Sequence, residues 1–205
     1  LVSVIVPARD EAPNIQTCVS SLVRSSYSAF EIIVVDDQST DGTGSLVRGM
    51  EQGNARSLRV IDGEQLPTEW LGKPWACCQG AAVAEGDLLL FTDADTVHGP
   101  ELLGRAVAGL CDERADLLTV MGRQLMKTFW ERLVQPQIFL PMFLRFPNLE
   151  RTAKSDHWRG AVANGQFMLF DRTWYERIGG HAAVKDDLLE DIAFARRLHK
   201  SGGRG

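Results

Sequence analysis

The sequence predicts an α/β fold on a mainly parallel sheet, and three observations carry that prediction. Short apolar runs rich in β-branched residues recur along the first 121 residues, stretches with apolar residues at helical spacing separate them, and acidic or glycine-containing turns follow several of them directly. Strands that alternate with helices of this length need crossover connections, which produce a parallel sheet covered by helices, with ligands beyond the carboxyl ends of the strands.

Residues 2–6 (VSVIV) read as the first buried strand, ended by Pro7. Pro13 is tolerated in a first helical turn, and Ile15, Cys18, Val19, Leu22 and Val23 follow at helical spacing. Residues 32–35 form a second buried strand, followed by an acidic turn and a helix carrying Leu46, Val47 and Met50. Residues 58–61 are a third strand, and 75–84 a helix of small residues. A fourth strand, 88–91, ends at Thr92-Asp93-Ala94-Asp95; a helix over about 100–110 and a fifth strand over 117–121 follow. Residues 167–170 return as a strand, and 187–199 form a closing helix with Leu188, Leu189, Ile192, Ala195 and Leu198 on its apolar side.

Composition narrows the function classes. The chain has 205 residues, 44% of them apolar and 24% charged, which suits one globular domain and excludes a disordered or fibrous chain. A net charge of −5 removes the usual electrostatic basis for binding nucleic acid. Cys18, Cys77, Cys78 and Cys111 make no C-x-x-C pair and no disulfide framework, so reduced thiols and a cytoplasmic setting are expected. The longest apolar run, 138–144, is far short of the roughly 18 to 20 residues that span a bilayer. The first residues, from Leu1, show no basic stretch followed by an apolar run, and the chain is expected to be a segment of a longer protein.

After Gly122 the texture changes. Ten aromatic residues fall between Phe129 and Tyr175, and residues 122–160 carry seven Lys/Arg against three acids. Within 129–146, Trp130, Leu133, Ile138, Phe139 and Phe143 with Arg132 and Arg145 suit either core packing, the expectation for most of them, or contact with an anionic membrane surface. Pro136, Pro141 and Pro147 break any single long helix there.

Three acidic clusters carry the chemistry. Asp36-Asp37-Gln38-Ser39-Thr40-Asp41-Gly42-Thr43 follows a buried strand; such residues also suit an ordinary strand-to-helix turn, but two adjacent carboxylates repel, and a ligand N–H, hydroxyl or cation offsets that. Asp93-Ala94-Asp95 sets two carboxylates at the mouth of the fourth strand, within reach of one hard cation and the diphosphate it holds. Glu190-Asp191 stands at the start of the last helix, where the helix dipole alone favours acids and where a general base is equally well accommodated. His181, after Gly179-Gly180, is expected at the surface.

The order of Pro7-Ala8-Arg9-Asp10-Glu11, the 36–43 run, Gly72-Lys73 with Ala76 and Gly80, Asp93-Ala94-Asp95, and Glu190-Asp191 before Arg196-Arg197-Leu198 resembles the family 2 glycosyltransferases over essentially the whole chain. Residues 70–76 (WLGKPWA) and 163–167 (ANGQF) resemble its hopanoid-associated and ceramide-glucosyltransferase-like branch. The resemblance implies a Rossmann-like, mixed but mainly parallel sheet of the nucleotide-diphospho-sugar transferase type, with a nucleotide-binding half at 1–121 and an acceptor-binding half at 122–205. It further implies that Pro7, Ala8, Arg9, Glu11, Asp37, Lys73, Asp93 and Ala94 take the nucleotide sugar, UDP-linked by resemblance, and that Asp95 and Asp93 hold Mn²⁺ or Mg²⁺. Asp191 is then the catalytic base, with Glu190 beside it. Trp158, Asn164 and Gln166 are candidates for an acceptor pocket, because a sugar or lipid head group suits an aromatic face with hydrogen-bonding neighbours. The family commonly has Asn where Asp10 stands, and its downstream Gln/Arg-x-x-Arg-Trp motif is absent from this sequence. A lipid or glycan acceptor, a cell-envelope role and a place at the cytoplasmic face of the membrane, reached through segments outside this chain, complete the expectation.

Two other readings compete. Residues 88–96 (LLLFTDADT) also resemble the first motif of haloacid-dehalogenase-type phosphatases, with Asp93 as nucleophile and Asp95 as acid/base, although that leaves the 36–43 run unexplained. The other is a nucleotide-sugar-binding module without catalysis.

Overall fold

The computed structural model describes residues 1–126, 128–130, 132–135, 137 and 163–205. In chain order the elements are β1 (Val2–Ala8), α1 (Ile15–Leu22), β2 (Phe30–Asp36), α2 (Thr43–Arg48), β3 (Leu58–Asp62), α3 (Gly72–Val83), β4 (Leu88–Thr92), α4 (Leu102–Asp112) and β5 (Leu117–Thr119). After them come β6 (Phe167–Asp171), α5 (Arg172–Arg177), a 3₁₀ turn (Gly180–Val184) and α6 (Glu190–Lys200).

The strands form one six-stranded sheet in the order β3-β2-β1-β4-β6-β5. β3, β2, β1 and β4 are mutually parallel, while β6 runs antiparallel between β4 and β5. The expected mixed, mainly parallel sheet is therefore the one observed. Both faces are covered, which is why the strands read as continuous apolar runs. Along β1, Val2, Val4, Val6 and Ala8 pack with α1, α2 and α4 on one face, whereas Ile5 packs with α3 and α6 on the other. Small residues on α3 allow this closeness. A Cβ on Gly80 would stand 2.5 Å from Ile5 Cγ2 and 3.1 Å from Val35 Cγ2.

Several boundaries differ from the pattern-based expectation, each for a local reason. β1 continues through Pro7 to Ala8. The Val2 N–H donates to Ala29 and the Ala8 carbonyl accepts from Asp37, so even-numbered residues face β2 and Pro7 faces β4, whose pairing with β1 already ended at Ile5 and Phe91. The missing N–H of Pro7 thus leaves no ladder bond unmade. α3 begins at Gly72, three residues before the expected Trp75, because Pro74 sits in the first turn where amide hydrogens have no helical acceptor. β5 stops at Thr119 instead of reaching Met121, and α6 begins at Glu190, leaving Leu188 and Leu189 exposed ahead of it.

Candidate functional site

β1 and β4 are neighbours whose connections leave in opposite directions, so the strand order reverses between them, and the crevice beyond their carboxyl ends is where a ligand fits such a sheet. A cavity of about 380 Å³ lies there. Pro7, Ala8, Arg9 and Glu11 line it from the end of β1, Asp37 from the end of β2, Gly72, Lys73 and Ala76 from the first turns of α3, and Asp93, Ala94 and Asp95 from the end of β4. All eight residues expected around the nucleotide sugar, and both expected cation ligands, share this one cavity.

Of the acidic run after β2, only Asp37 lines the cavity. The others stitch the two loops together: Asp10 N–H donates to Ser39 Oγ at 3.0 Å, Glu11 N–H to Thr43 Oγ1 at 2.9 Å, and Ala12 N–H to Asp41 at 2.8 Å. Asp10 in turn accepts from the Thr40 N–H at 2.8 Å, and Asp36 from the Ser39 N–H at 3.2 Å. The Thr43 hydroxyl and the Ala12 N–H hold the Asp41 carboxyl below the usual carboxylate range. Carboxylates that looked costly as a group are therefore satisfied internally, one by one. Asp37 is 4% exposed, with Arg9 Nη1 3.5 Å from its Oδ2, and glycines at 63 and 72 leave it room.

Lys73 connects the cavity to the last helix. Its Nζ is 2.7 Å from Asp93 Oδ1 and 3.0 Å from Glu190 Oε1. Burial pushes its pKa down, but the Asp93 and Glu190 charges outweigh burial and raise it, so the ammonium form is held. Asp191, next in the chain, accepts from the Gly165 N–H at 3.0 Å, which brings the Asn164-Gly165-Gln166 turn against it. Asn164 and Gln166 are engaged in that turn. The Asn164 carboxamide oxygen accepts from the Gln166 N–H at 3.1 Å, and Gln166 Oε1 accepts from Gln124 at 3.1 Å. Trp158 lies outside the described residues.

A network that the sequence reading missed supports the Asp93–Asp95 turn from behind. The Thr92 hydroxyl donates to the Gln166 carbonyl at 2.8 Å and the Thr96 hydroxyl to the Asp93 carbonyl at 2.7 Å. Both hydroxyl protons are thereby committed, so His98 Nε2, 3.2 Å and 2.9 Å from the two oxygens, is the donor to both. Burial lowers the His98 pKa to about 4, which keeps the ring neutral. The buried Cys18 thiol, its pKa raised to about 12 by burial, approaches the same Asp93 carbonyl at 3.6 Å. Thr92, Thr96 and His98 bracketing two acids were the available signal.

His181 corrects an expectation. It is 1% exposed, its ring 4.5 Å from Phe91 and 4.9 Å from Phe194, and its Nδ1 2.7 Å from the Tyr175 hydroxyl. Gly179 and Gly180, at φ of 90° and 52°, turn the chain inward, and the absent Cβ of Gly180 leaves space for the Tyr175 ring. Burial and, secondarily, the Lys73 charge lower its pKa to about 3. The expectation of core packing in the 129–146 stretch also fails where it is described: Phe129 and Trp130 are 70% and 68% exposed, and Leu133 and Val134 are exposed too.

The donor set suits a hard divalent cation shared with a phosphate ligand. Asp95 is exposed and makes no hydrogen bond or ion pair among the described residues, while Asp93 stands in the same cavity. Among the described residues no three His, Cys, Asp or Glu side chains converge, which fits a cation held by one or two carboxylates and by phosphate oxygens, not a closed protein cage. The four cysteines are free, and among the described residues no helix is long and apolar enough to cross a membrane.

Sheet order, switch-point cavity and acidic lining together define a nucleotide-sugar transferase fold. The family model described as glycosyl transferase family 2 matches residues 3–179, and the chain belongs to that family. The phosphatase reading is thereby set aside. A 4,4′-diaponeurosporenoate glycosyltransferase of Staphylococcus aureus (strain MRSA252) is 28% identical over 196 residues, covering 93% of this chain and 49% of the relative. Glycosyltransferase AglE of Haloferax volcanii is 32% identical over 119 residues, 57% of this chain and 38% of that protein. The chain thus spans about half, or less, of the length of these relatives. The mannosyltransferase PcManGT from Pyrobaculum calidifontis, solved with GDP-Man and Mn²⁺, superposes with a TM-score of 0.71 at 24% identity over 99% of this chain and 53% of that one. TarS 1–349 of S. aureus with UDP-GlcNAc gives 0.61 at 22% identity over 97% and 53%.

Proposed function

We propose that this chain is the catalytic core of an inverting glycosyltransferase that moves a sugar from a UDP-linked nucleotide-diphospho-sugar to a hydroxyl of a lipid or glycan acceptor. The observation that supports this most is the single cavity that joins Asp37, Lys73, Asp93 and Asp95, with Glu190-Asp191 attached to it through Lys73. In this reading Pro7, Ala8, Arg9 and Glu11 enclose the nucleoside, and the buried Asp37 carboxylate accepts from a base N–H. Lys73 meets the diphosphate, and Asp93 and Asp95 hold Mn²⁺ or Mg²⁺. The cation, when bound, neutralises the departing nucleoside diphosphate.

Asp191 removes the proton of the acceptor hydroxyl as its oxygen forms a bond to the anomeric carbon. The bond from that carbon to the diphosphate breaks on the opposite side, which inverts the centre. One carboxylate suffices for the proton, because a diphosphate is a weakly basic group that leaves without protonation, unlike the sugar leaving group of a glycosidase. Backbone N–H groups of Gly165 and Ile192 orient the Asp191 carboxylate, at 3.0 and 2.7 Å. Asn164 and Gln166, beside it, stand on the acceptor side, as does Trp158 in this reading, with residues 1–121 serving the nucleotide and 122–205 the acceptor. Relatives named for 4,4′-diaponeurosporenoate support a lipid acceptor. The exposed Phe129, Trp130, Leu133 and Val134, with Arg123 and Arg132 on a neighbouring cavity of about 430 Å³, support contact with an anionic cytoplasmic membrane surface in the cell envelope.

A thermal-shift panel of nucleotide sugars with and without Mn²⁺, paired with an assay of donor turnover, tests the reading. UDP-sugars are expected to raise the unfolding temperature by several degrees, more with Mn²⁺, since a ligand of the folded state alone stabilises it. If no nucleotide sugar stabilises the protein in either condition, the proposal fails; stabilisation with no donor turnover in the presence of lipid and glycan acceptors points to a binding module instead.

A further inference from the structure

We infer that Lys73 occupies the cation position beside Asp93 while the donor is absent, and that a nucleoside diphosphate opens this position by drawing the ammonium onto its own oxygens. The inference rests on the proposed role of Asp93 and Asp95 as cation ligands and adds to it a built-in competitor.

Lys73 enters from the first turn of α3 and Asp93 from the end of β4, and both line the donor cavity, so their 2.7 Å contact lies on the surface that a bound ligand would rearrange. A carboxylate already matched by an ammonium at contact distance has little charge left for a dication. Placing the dication on the same carboxylate sets two like charges within a few ångströms, an arrangement strongly unfavourable away from bulk water. Asp95 alone then remains, exposed and without a hydrogen bond or ion pair among the described residues. One carboxylate with water is a weak site for Mg²⁺ or Mn²⁺, which bind proteins chiefly where substrate phosphates complete the shell.

A diphosphate changes the balance because it carries negative charge to the ammonium. Lys73 has a flexible four-carbon stem, and its second anchor, Glu190 at 3.0 Å, keeps the ammonium near the cavity while Asp93 is released. Binding linkage then makes the effect mutual: the factor by which nucleotide raises cation affinity is the factor by which cation raises nucleotide affinity.

The experiment titrates Mn²⁺ into the wild-type protein and into Lys73→Met, Lys73→Arg and Asp95→Asn, reading free Mn²⁺ by electron paramagnetic resonance, with and without UDP. Because UDP itself chelates Mn²⁺, the decisive comparison is the nucleotide-free one. Lys73→Met, which keeps length and loses charge, is expected to bind Mn²⁺ about tenfold tighter than wild type, whereas Lys73→Arg stays as weak as wild type. Circular dichroism confirms that each variant is folded; should Lys73→Met not fold, Lys73→Gln takes its place with the same expectation. If the neutral variant binds no tighter than wild type, or if Lys73→Arg gains as much as Lys73→Met, the inference is overturned. In either case loss of Mn²⁺ binding in Asp95→Asn leaves the cation site standing. If no protein binds Mn²⁺ even with UDP, the cation reading falls and the inference with it.

Discussion

Asp191 differs from Glu190 in what holds it, and that difference supports the roles proposed for them. Glu190 is matched by the Lys73 ammonium, whereas among the described residues the Asp191 carboxylate accepts from backbone N–H groups and pairs with no ammonium or guanidinium. Asp191→Asn keeps one of those two backbone contacts, on its remaining oxygen, and removes the proton acceptor. Transfer is expected to fall at least ~10²–10⁴-fold, the usual worth of a general base, with donor affinity within about twofold of wild type. A matching loss of donor affinity, measured by calorimetry, would count against the base assignment. At the same scale, Asp10 and Gln38 adopt left-handed backbone, φ 54° and 59°, on the two loops beside the cavity. Asn and Asp tolerate that conformation best among residues with side chains, which accounts physically for Asn or Asp at position 10.

The elements explain how residues distant in sequence reach one cavity. α3 lies close on β1 and β2 because Gly80 has no side chain, and this closeness sets Lys73, two turns earlier, over the end of β4. Gly80→Ala places a methyl 2.5 Å from Ile5 Cγ2, so α3 must lift from the sheet. Overpacking of this kind costs about 1 to 3 kcal/mol, which urea unfolding would read directly. An unchanged midpoint would show that α3 has slack at this point. The strands and most of the helices were legible from periodicity, since both sheet faces are buried; α5, six residues long, and the 3₁₀ turn after it were not. Their ends were less so: Pro7 reads as a stop, yet its missing N–H falls on a side of β1 where no partner strand remains. Thr92, Thr96 and His98 bracket the two acids in sequence, but only the folded turn shows their role, because it commits both hydroxyl protons to carbonyls.

For the molecule as a whole, the buried neutral histidines make stability depend on pH. His98 and His181 titrate near 4 and 3 when folded, against about 6.5 when unfolded. Between those limits the unfolded chain binds protons that the folded chain does not, so acidification favours unfolding. The stabilising difference is complete above pH 6.5 and is lost progressively as pH falls toward 4. Two such groups predict a loss of about 2.5 kcal/mol between pH 7 and pH 5.5, seen as a falling denaturant midpoint; a flat profile across that range contradicts the burial of both rings. The bulk charge of −5 hides a division along the chain. Acids gather at the carboxyl ends of the strands around Asp37, Asp93 and Asp95, while residues 122–160 carry a basic excess next to exposed Phe129 and Trp130.

By itself the sequence determined the alternation of strands and helices, the burial of both sheet faces, and the residues that line the cavity at the strand ends, because periodicity, turn residues and carboxylates after strands are local properties of a chain. Tertiary structure alone decided that β6 inserts antiparallel between β4 and β5, that His181 enters the core, and that only one carboxylate of the 36–43 run lines the cavity. It also decided that Lys73 bridges Asp93 and Glu190. These outcomes depend on which distant segments are packed together, and spacing along the chain carries no record of such contacts.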